Sequence, residues 1–231
     1  MWLIFIATLG ASILVQLYLR NTYGRWQAVQ AASGLTGAQT ARVILDANGL
    51  SDVRIEEVPG QLTDHYDPAQ KVVRLSAVNY RGASVASHAV SAHEVGHAIQ
   101  HAKAYAPLRV RTALVPAANI GARFAPWVII LGAMLGALGL VQLGIVLFGL
   151  AVLFQLVTLP VEYDASRRAG QQLESLGIDT SSGLYWKAIT SGEVAGTRQV
   201  LNAAALTYVA AAAGSVMYLL YYISMFMGNR D

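Results

Sequence analysis

The chain has 231 residues, of which 55% are hydrophobic and only 13% charged, with a formal charge of +3 and a mean hydropathy of +0.46. A soluble domain carries about 25% charged residues, so a soluble enzyme is excluded, while long polar stretches exclude a bare bundle of spanning helices. No run of Lys and Arg interleaved with aromatics follows a phosphate backbone, so the basic balance predicts membrane topology and no nucleic-acid partner. Cysteine is absent, which removes disulfides, cysteine zinc sites and thiol catalysis.

Trp2 to Leu19 is uncharged and long enough to cross about 30 Å of hydrocarbon as a helix. Residues 1–20 therefore read as a first transmembrane helix. A cleaved signal peptide is disfavoured, because a basic leading region is missing and the apolar run is too long.

Residues 21–124 form a polar block. Thr36 and Gln39 make a capping-box pattern ahead of Ala41, Val43, Ile44 and Leu45, and Asn48-Gly49 supplies a stop, which predicts a short helix. Val53 to Val58 and Lys71 to Leu75 are β-prone and are expected to pair as a small β-hairpin with a long polar connection. Ser84 to Ala102 contains no Pro and a single Gly, and it predicts a helix.

Residues 125–160 carry no charge and are nearly twice as long as one crossing requires, so two helices share them, with the turn expected near Gln142 between Gly139 and Gly144. Gly132 and Gly136 make a GxxxG pair suited to close backbone approach, or are small residues tolerated in lipid. Residues 161–200 form a second, shorter polar segment with amphipathic character. Residues 201–227 read as a fourth transmembrane helix, with Tyr218, Tyr221 and Tyr222 suited to an interfacial belt.

Parity puts the segments 20–124 and 161–200 on one side of the membrane. Fifteen of the 16 Lys and Arg residues lie in them, and Arg20, Arg25, Arg109, Arg111, Arg123, Arg167, Arg168 and Arg198 sit near helix ends, which predicts the cytoplasmic side. The overall expectation is a mainly α, multi-pass protein of the cell membrane with four transmembrane helices.

The chemistry sits in His93-Glu94-Val95-Gly96-His97. On a helix, positions i and i+4 share a face, so both imidazoles can reach one metal ion, and Glu94 between them suits a base acting on water. The spacing predicts bound Zn²⁺ and a third protein ligand from elsewhere in the chain. His101 lies a further turn along, where three ligands on one straight face would spread too far for bonds near 2 Å. His65 and His88 read as ordinary polar histidines, leaving Glu162, Asp164 and Glu174 as acidic candidates.

HEVGHAIQH at 93–101, DHYDP at 64–68 with KVVRLS at 71–76, PVEYDASRRA at 160–169 and LNAAALTYVAAA at 201–212 occur in this order. Together they resemble the YugP-type membrane zinc metallopeptidases over nearly the whole chain. More broadly the chain is similar to the HtpX and CAAX prenyl protease metallopeptidases, whose third zinc ligand is the Glu of an EYxAD-like motif. The resemblance implies Glu162 as the third ligand, a zincin-like active-site helix and a zinc-dependent endopeptidase. The closing Asp of the broader motif falls at Ser166, and an acid stands at Asp164 instead, so the role of that Asp is left open.

Peptide hydrolysis by activated water requires Glu94 as proton acceptor and a donor toward the developing oxyanion. Tyr163, Arg167, Arg198 and Asn202 are the candidates, with Asp164 as a residue orienting a ligand, and Arg167 or Arg168 could instead anchor lipid headgroups. The implied partners are a membrane or membrane-proximal polypeptide and the bilayer. A noncatalytic zinc-stabilised adaptor is the alternative, but it needs no base at Glu94. A metal transporter would place ionisable residues within the spanning helices, where residues 125–160 have none.

Overall fold

The computed structural model describes residues 2–178 and 191–228. Its elements in chain order are α1 (Trp2–Gln27), α2 (Gly37–Ala47), β1 (Arg54–Val58), β2 (His65–Asp67), β3 (Val72–Ser76), α3 (Ala77–Arg81), α4 (Val85–Ala102), α5 (Ala106–Met134), α6 (Leu138–Ile178) and α7 (Ser191–Gly228). The protein is mainly helical, with one small sheet. Of the predicted segment 161–200, residues 179–190 lie outside the described residues.

The chain divides into two compact units. One comprises Met1–Gln16, Ala106–Val161 and Leu206–Asp231; the other comprises Leu17–Tyr105 and Glu162–Ala205. Four helices are long and apolar enough to cross a bilayer, namely α1, α5, α6 and α7.

In the first unit, α5 and α6 pack as a helical hairpin. The expected turn at Gln142 is corrected: the break lies at residues 135–137, where Gly136 adopts φ +62. Only a residue without a Cβ takes that conformation cheaply, so Gly136 is spent on the turn and Gln142 continues the helix. Gly132 does serve close approach, since a Cβ there would lie 2.7 Å from the Val141 backbone nitrogen. Residues 106–124, charged enough to read with the polar block, form one helix with 125–134 and cluster in this unit.

In the second unit α2 begins as its sequence pattern requires. Thr36 caps it, Gln39 returns a hydrogen bond to the Thr36 backbone, and Asn48 closes it ahead of Gly49 at φ +70.

The expected hairpin of Val53–Val58 with Lys71–Leu75 is corrected. β1 and β3 pair in parallel, Arg54 opposite Val72 and Val58 opposite Ser76, in a sheet of order β1-β3-β2. Parallel strands need a crossover of about a dozen residues or more, and residues 59–71 provide it. The hairpin is instead β2 with β3, antiparallel, Asp67 opposite Val72. Two acids of the DHYDP run brace this hairpin, Asp67 at its turn and Asp64 at its open end. Asp67 Oδ1 accepts from the Ala69 and Gln70 backbone at 2.9 and 3.1 Å, and Asp64 accepts from the Ser76 backbone at 2.8 Å and from Asn79 at 3.0 Å.

The core of this unit joins Ile44 and Leu45 of α2, Val73 and Leu75 of β3, Val95 of α4, and Leu173 and Val200 of α6 and α7, all buried. α4, capped by the Ser84 hydroxyl accepting from the Ser87 backbone at 3.1 Å, runs through this core and buries most of its length. A helix so enclosed holds its side chains at fixed positions.

Candidate metal centre

α4 carries His93, Glu94 and His97, and their helical spacing puts the two imidazoles side by side, ring centroids 4.8 Å apart at 84°. α6 brings Glu162 to them. Contact between these helices depends on Gly96, because a Cβ there would stand 2.6 Å from the Ala165 carbonyl oxygen, and Ala165 is itself fully buried. Any larger residue at 96 pushes α6, and Glu162 with it, away from the histidines.

Glu162 Oε2 lies 3.2 Å from His93 Nε2 and 3.6 Å from His97 Nε2. Among the described residues one group of His and acidic side chains could hold a metal ion, namely His93, His97 and Glu162, with ligand atoms within 4.8 Å of one another. Tetrahedral ligands about 2.0–2.1 Å from one zinc stand about 3.3–3.4 Å apart, so the donor set and its spacing fit zinc. Two imidazole nitrogens and a carboxylate leave the fourth position of a tetrahedron to water or substrate.

Glu94 is buried beside the triad. Burial pushes its carboxyl above the ordinary range, with Glu162 and Asp64 adding to the rise and the two histidines opposing it. Burial works to lower the pKa of His97, but the Glu162 and Glu94 carboxylates and Gln100 outweigh it and raise the net value.

Both histidines of the triad are held from behind. Ser166 Oγ lies 3.2 Å from His93 Nδ1, and Gln100 Oε1 lies 3.0 Å from His97 Nδ1. The Gln100 amide nitrogen donates to Asp164 Oδ2 at 3.0 Å, and Asp164 also accepts from Arg168 at 2.6 Å and from Arg167. Sequence reading missed Gln100, although its position three residues after His97 on one helix face was an available signal; Ser166 was visible only as a departure from a motif.

Tyr163, Ser166, Arg167, Arg198 and Asn202 line one cavity of about 460 Å³. The candidate oxyanion donors are thus brought together, with Arg198 paired to Glu174 at 2.6 Å and Arg167 to Asp164. The remaining histidines stand apart from the triad. His101 Nδ1 meets the Tyr66 hydroxyl at 2.9 Å, His88 Nε2 meets the Leu35 carbonyl at 2.8 Å, and His65 Nδ1 meets the Thr63 carbonyl at 2.8 Å.

Among the described residues, four helices long and apolar enough to cross a bilayer and a His-His-Glu group able to hold a metal ion define the class, a helical membrane protein with a candidate metal site. Residues 1–227 match the family described as "Putative neutral zinc metallopeptidase". The chain is 47% identical over 226 residues, 98% of its own length and 96% of the relative's, to a Bacillus subtilis (strain 168) protein named "Putative membrane protease YugP". No solved structure matches. The chain belongs to the neutral zinc metallopeptidase family.

Proposed function

We propose that the protein is an integral-membrane zinc endopeptidase that hydrolyses polypeptides at the membrane surface. The observation that carries this reading is the convergence of His93 Nε2, His97 Nε2 and a Glu162 oxygen within 4.8 Å, with the buried carboxyl of Glu94 on the same turn of α4.

His93, His97 and Glu162 would hold the ion. Zinc there supplies Lewis acidity, which lowers the pKa of water toward 7 and polarises a peptide carbonyl. Glu94 takes the proton from the attacking water, holds it in a buried setting that favours the protonated carboxyl, and passes it to the departing amine. The water oxygen ends on the carbonyl carbon, the C–N bond breaks, and no covalent enzyme intermediate forms. The charge that develops on the carbonyl oxygen needs a donor, and Tyr163, Arg167, Arg198 and Asn202, which line one cavity, are the candidates for it.

A membrane or membrane-proximal polypeptide is the substrate class, because Glu162 follows the uncharged run 125–160 by only two residues. The site faces the cytoplasm, supported by the arginines near the helix ends. The β1–β3 sheet leaves β2 at one edge, which suits an extended peptide adding as a further strand.

The test compares wild-type and Glu94→Gln protein in detergent for zinc content and for cleavage of casein or of itself. Bound zinc in both with cleavage in the wild type alone is expected. Zinc binding without cleavage in either overturns the peptidase reading and leaves the adaptor. For orientation, a cysteine introduced at Gly60 should resist an impermeant thiol reagent in intact cells; labelling there overturns the cytoplasmic assignment.

A further inference from the structure

We propose that two separate arms orient the histidines, Ser166 on His93 and Gln100 locked by Asp164 on His97, each holding its imidazole so that Nε2 faces Glu162. The proposal rests on the reading of His93, His97 and Glu162 as zinc ligands.

The first arm is short. Ser166 stands four residues after Glu162 on α6, so one helical turn delivers both the carboxylate and the hydroxyl to the same imidazole. Glu162 meets His93 at Nε2, 3.2 Å away, and Ser166 Oγ meets the opposite nitrogen, Nδ1, also at 3.2 Å. A hydroxyl accepts a hydrogen bond without carrying charge. With Nδ1 protonated and donating to Ser166, the Nε2 lone pair is left for a cation.

The second arm has its direction dictated by charge. The Asp164 carboxylate accepts hydrogen bonds only, and Arg167 and Arg168 both pair with it and fix its position. It therefore claims the amide nitrogen of Gln100, at 3.0 Å. The Gln100 oxygen must then point the other way, toward His97 Nδ1 at 3.0 Å, and that nitrogen must carry the proton. His97 is thereby fixed as the tautomer with Nε2 free, pointing toward Glu162 at 3.6 Å. Gln100 is wholly buried and Asp164 nearly so, so water does not compete for either bond.

Neither histidine touches a carboxylate through Nδ1 in these contacts. The sole acid in the arrangement acts through an amide, with its charge already balanced by two guanidinium groups. Ser166, Gln100 and Asp164 are positioning residues, and partners of this kind are worth about 10- to 100-fold in metal affinity.

The experiment measures zinc affinity by chelator competition on the full chain in detergent, the visible spectrum of the Co²⁺-substituted protein, and thermal unfolding of the metal-free form. Ser166→Ala and Gln100→Met should each weaken zinc by about 10- to 100-fold and shift the Co²⁺ bands, and the double variant should lose more than either single variant because the arms hold different histidines. Ser166→Thr, which keeps the hydroxyl, should return to within about threefold of wild type, and Ser166→Ala should leave metal-free unfolding unchanged. Wild-type affinity in both single variants, or equal loss in Ser166→Thr and Ser166→Ala, overturns the two-arm assignment while zinc ligation stands. Zinc retained in His97→Ala overturns the ligand reading and this proposal together.

Discussion

The two compact units differ in where they leave their large apolar residues. In the unit of Met1–Gln16, Ala106–Val161 and Leu206–Asp231, many large apolar side chains face outward, Trp127 being 70% and Leu135 66% exposed, while small residues such as Ala118, Ala125, Gly132 and Ala212 are buried beside Ile129 and Val152. In the unit that holds the triad, Ile44, Leu45, Leu75 and Val95 are wholly buried, and Glu94, His97 and Glu162 are largely buried with them. Water expels large apolar side chains at about 25 cal/mol per Å², whereas lipid accepts them, and helices there meet through small residues that let backbones approach. One chain thus obeys two rules, and the side chain to examine first differs between them: the large residue in one unit, the absent side chain in the other.

The strongest way to break this comparison is at the metal centre, which lies wholly within the second unit. His97→Ala should weaken zinc at least ~100-fold, since it removes one of the three proposed ligands, and metal analysis of the purified protein checks it. Glu162→Gln should lose zinc and activity together, because an amide is a far poorer ligand than a carboxylate. Asp164→Asn should keep zinc largely bound at saturating metal, as expected for a group that touches a ligand only through Gln100. An exchange of these two phenotypes would move the third ligand by two positions.

Next comes a matched pair of truncations. Ile44→Ala should cost about 2–5 kcal/mol through lost burial and a residual cavity. Leu131→Ala, at a position 51% exposed, should stay within ~0.5 kcal/mol. Unfolding in a fixed detergent reads both, and equal costs would erase the distinction between the units.

The reverse substitution sharpens it. Gly96→Ala meets the Ala165 carbonyl at 2.6 Å and Gly121→Ala meets the Leu147 carbonyl at 2.2 Å, so each should cost about 1–3 kcal/mol by overpacking. Only Gly96→Ala should also weaken zinc, because only that approach sets Glu162 against His93 and His97. Loss of zinc in Gly121→Ala would refute the local account.

The smallest effect concerns His88, buried in the second unit, where burial lowers its pKa from 6.5 against the raising influence of the Leu35 carbonyl and Glu193. The unfolded chain then binds a proton that the folded chain resists, so this contribution is complete above pH 6.5 and is lost as pH falls below it. At pH 5.5 the loss is at most about 1.4 kcal/mol. His88→Gln keeps a donor toward Leu35 and should flatten the difference in melting temperature between pH 7.5 and 5.5 relative to wild type.

Much of this was readable before any fold was known. Four apolar runs, the capping box of α2, the helix over 85–102 and the i, i+4 histidines depend on neighbours within a few residues, where periodicity and local hydrogen bonding decide the outcome. The strand pairing was misread because two β-prone runs say nothing of direction, and only the length of residues 59–71 permitted the parallel crossover. The hairpin turn was misread because polarity at Gln142 competed with a backbone need at Gly136, and Gly136 alone takes φ +62 without a Cβ penalty.

The sequence by itself determined that this chain lies in a membrane and that α4 presents two histidines on one face, because hydropathy and helical period are properties of a single segment. Tertiary structure decided which carboxylate meets them and what stands behind them. Glu162 and Asp164 sit two residues apart on α6 with the same chemistry, and only the packing of Ala165 against Gly96 turns one toward Nε2 of both histidines and leaves the other to grip Gln100. That choice depends on how one helix is rotated against another, and no local pattern encodes the rotation.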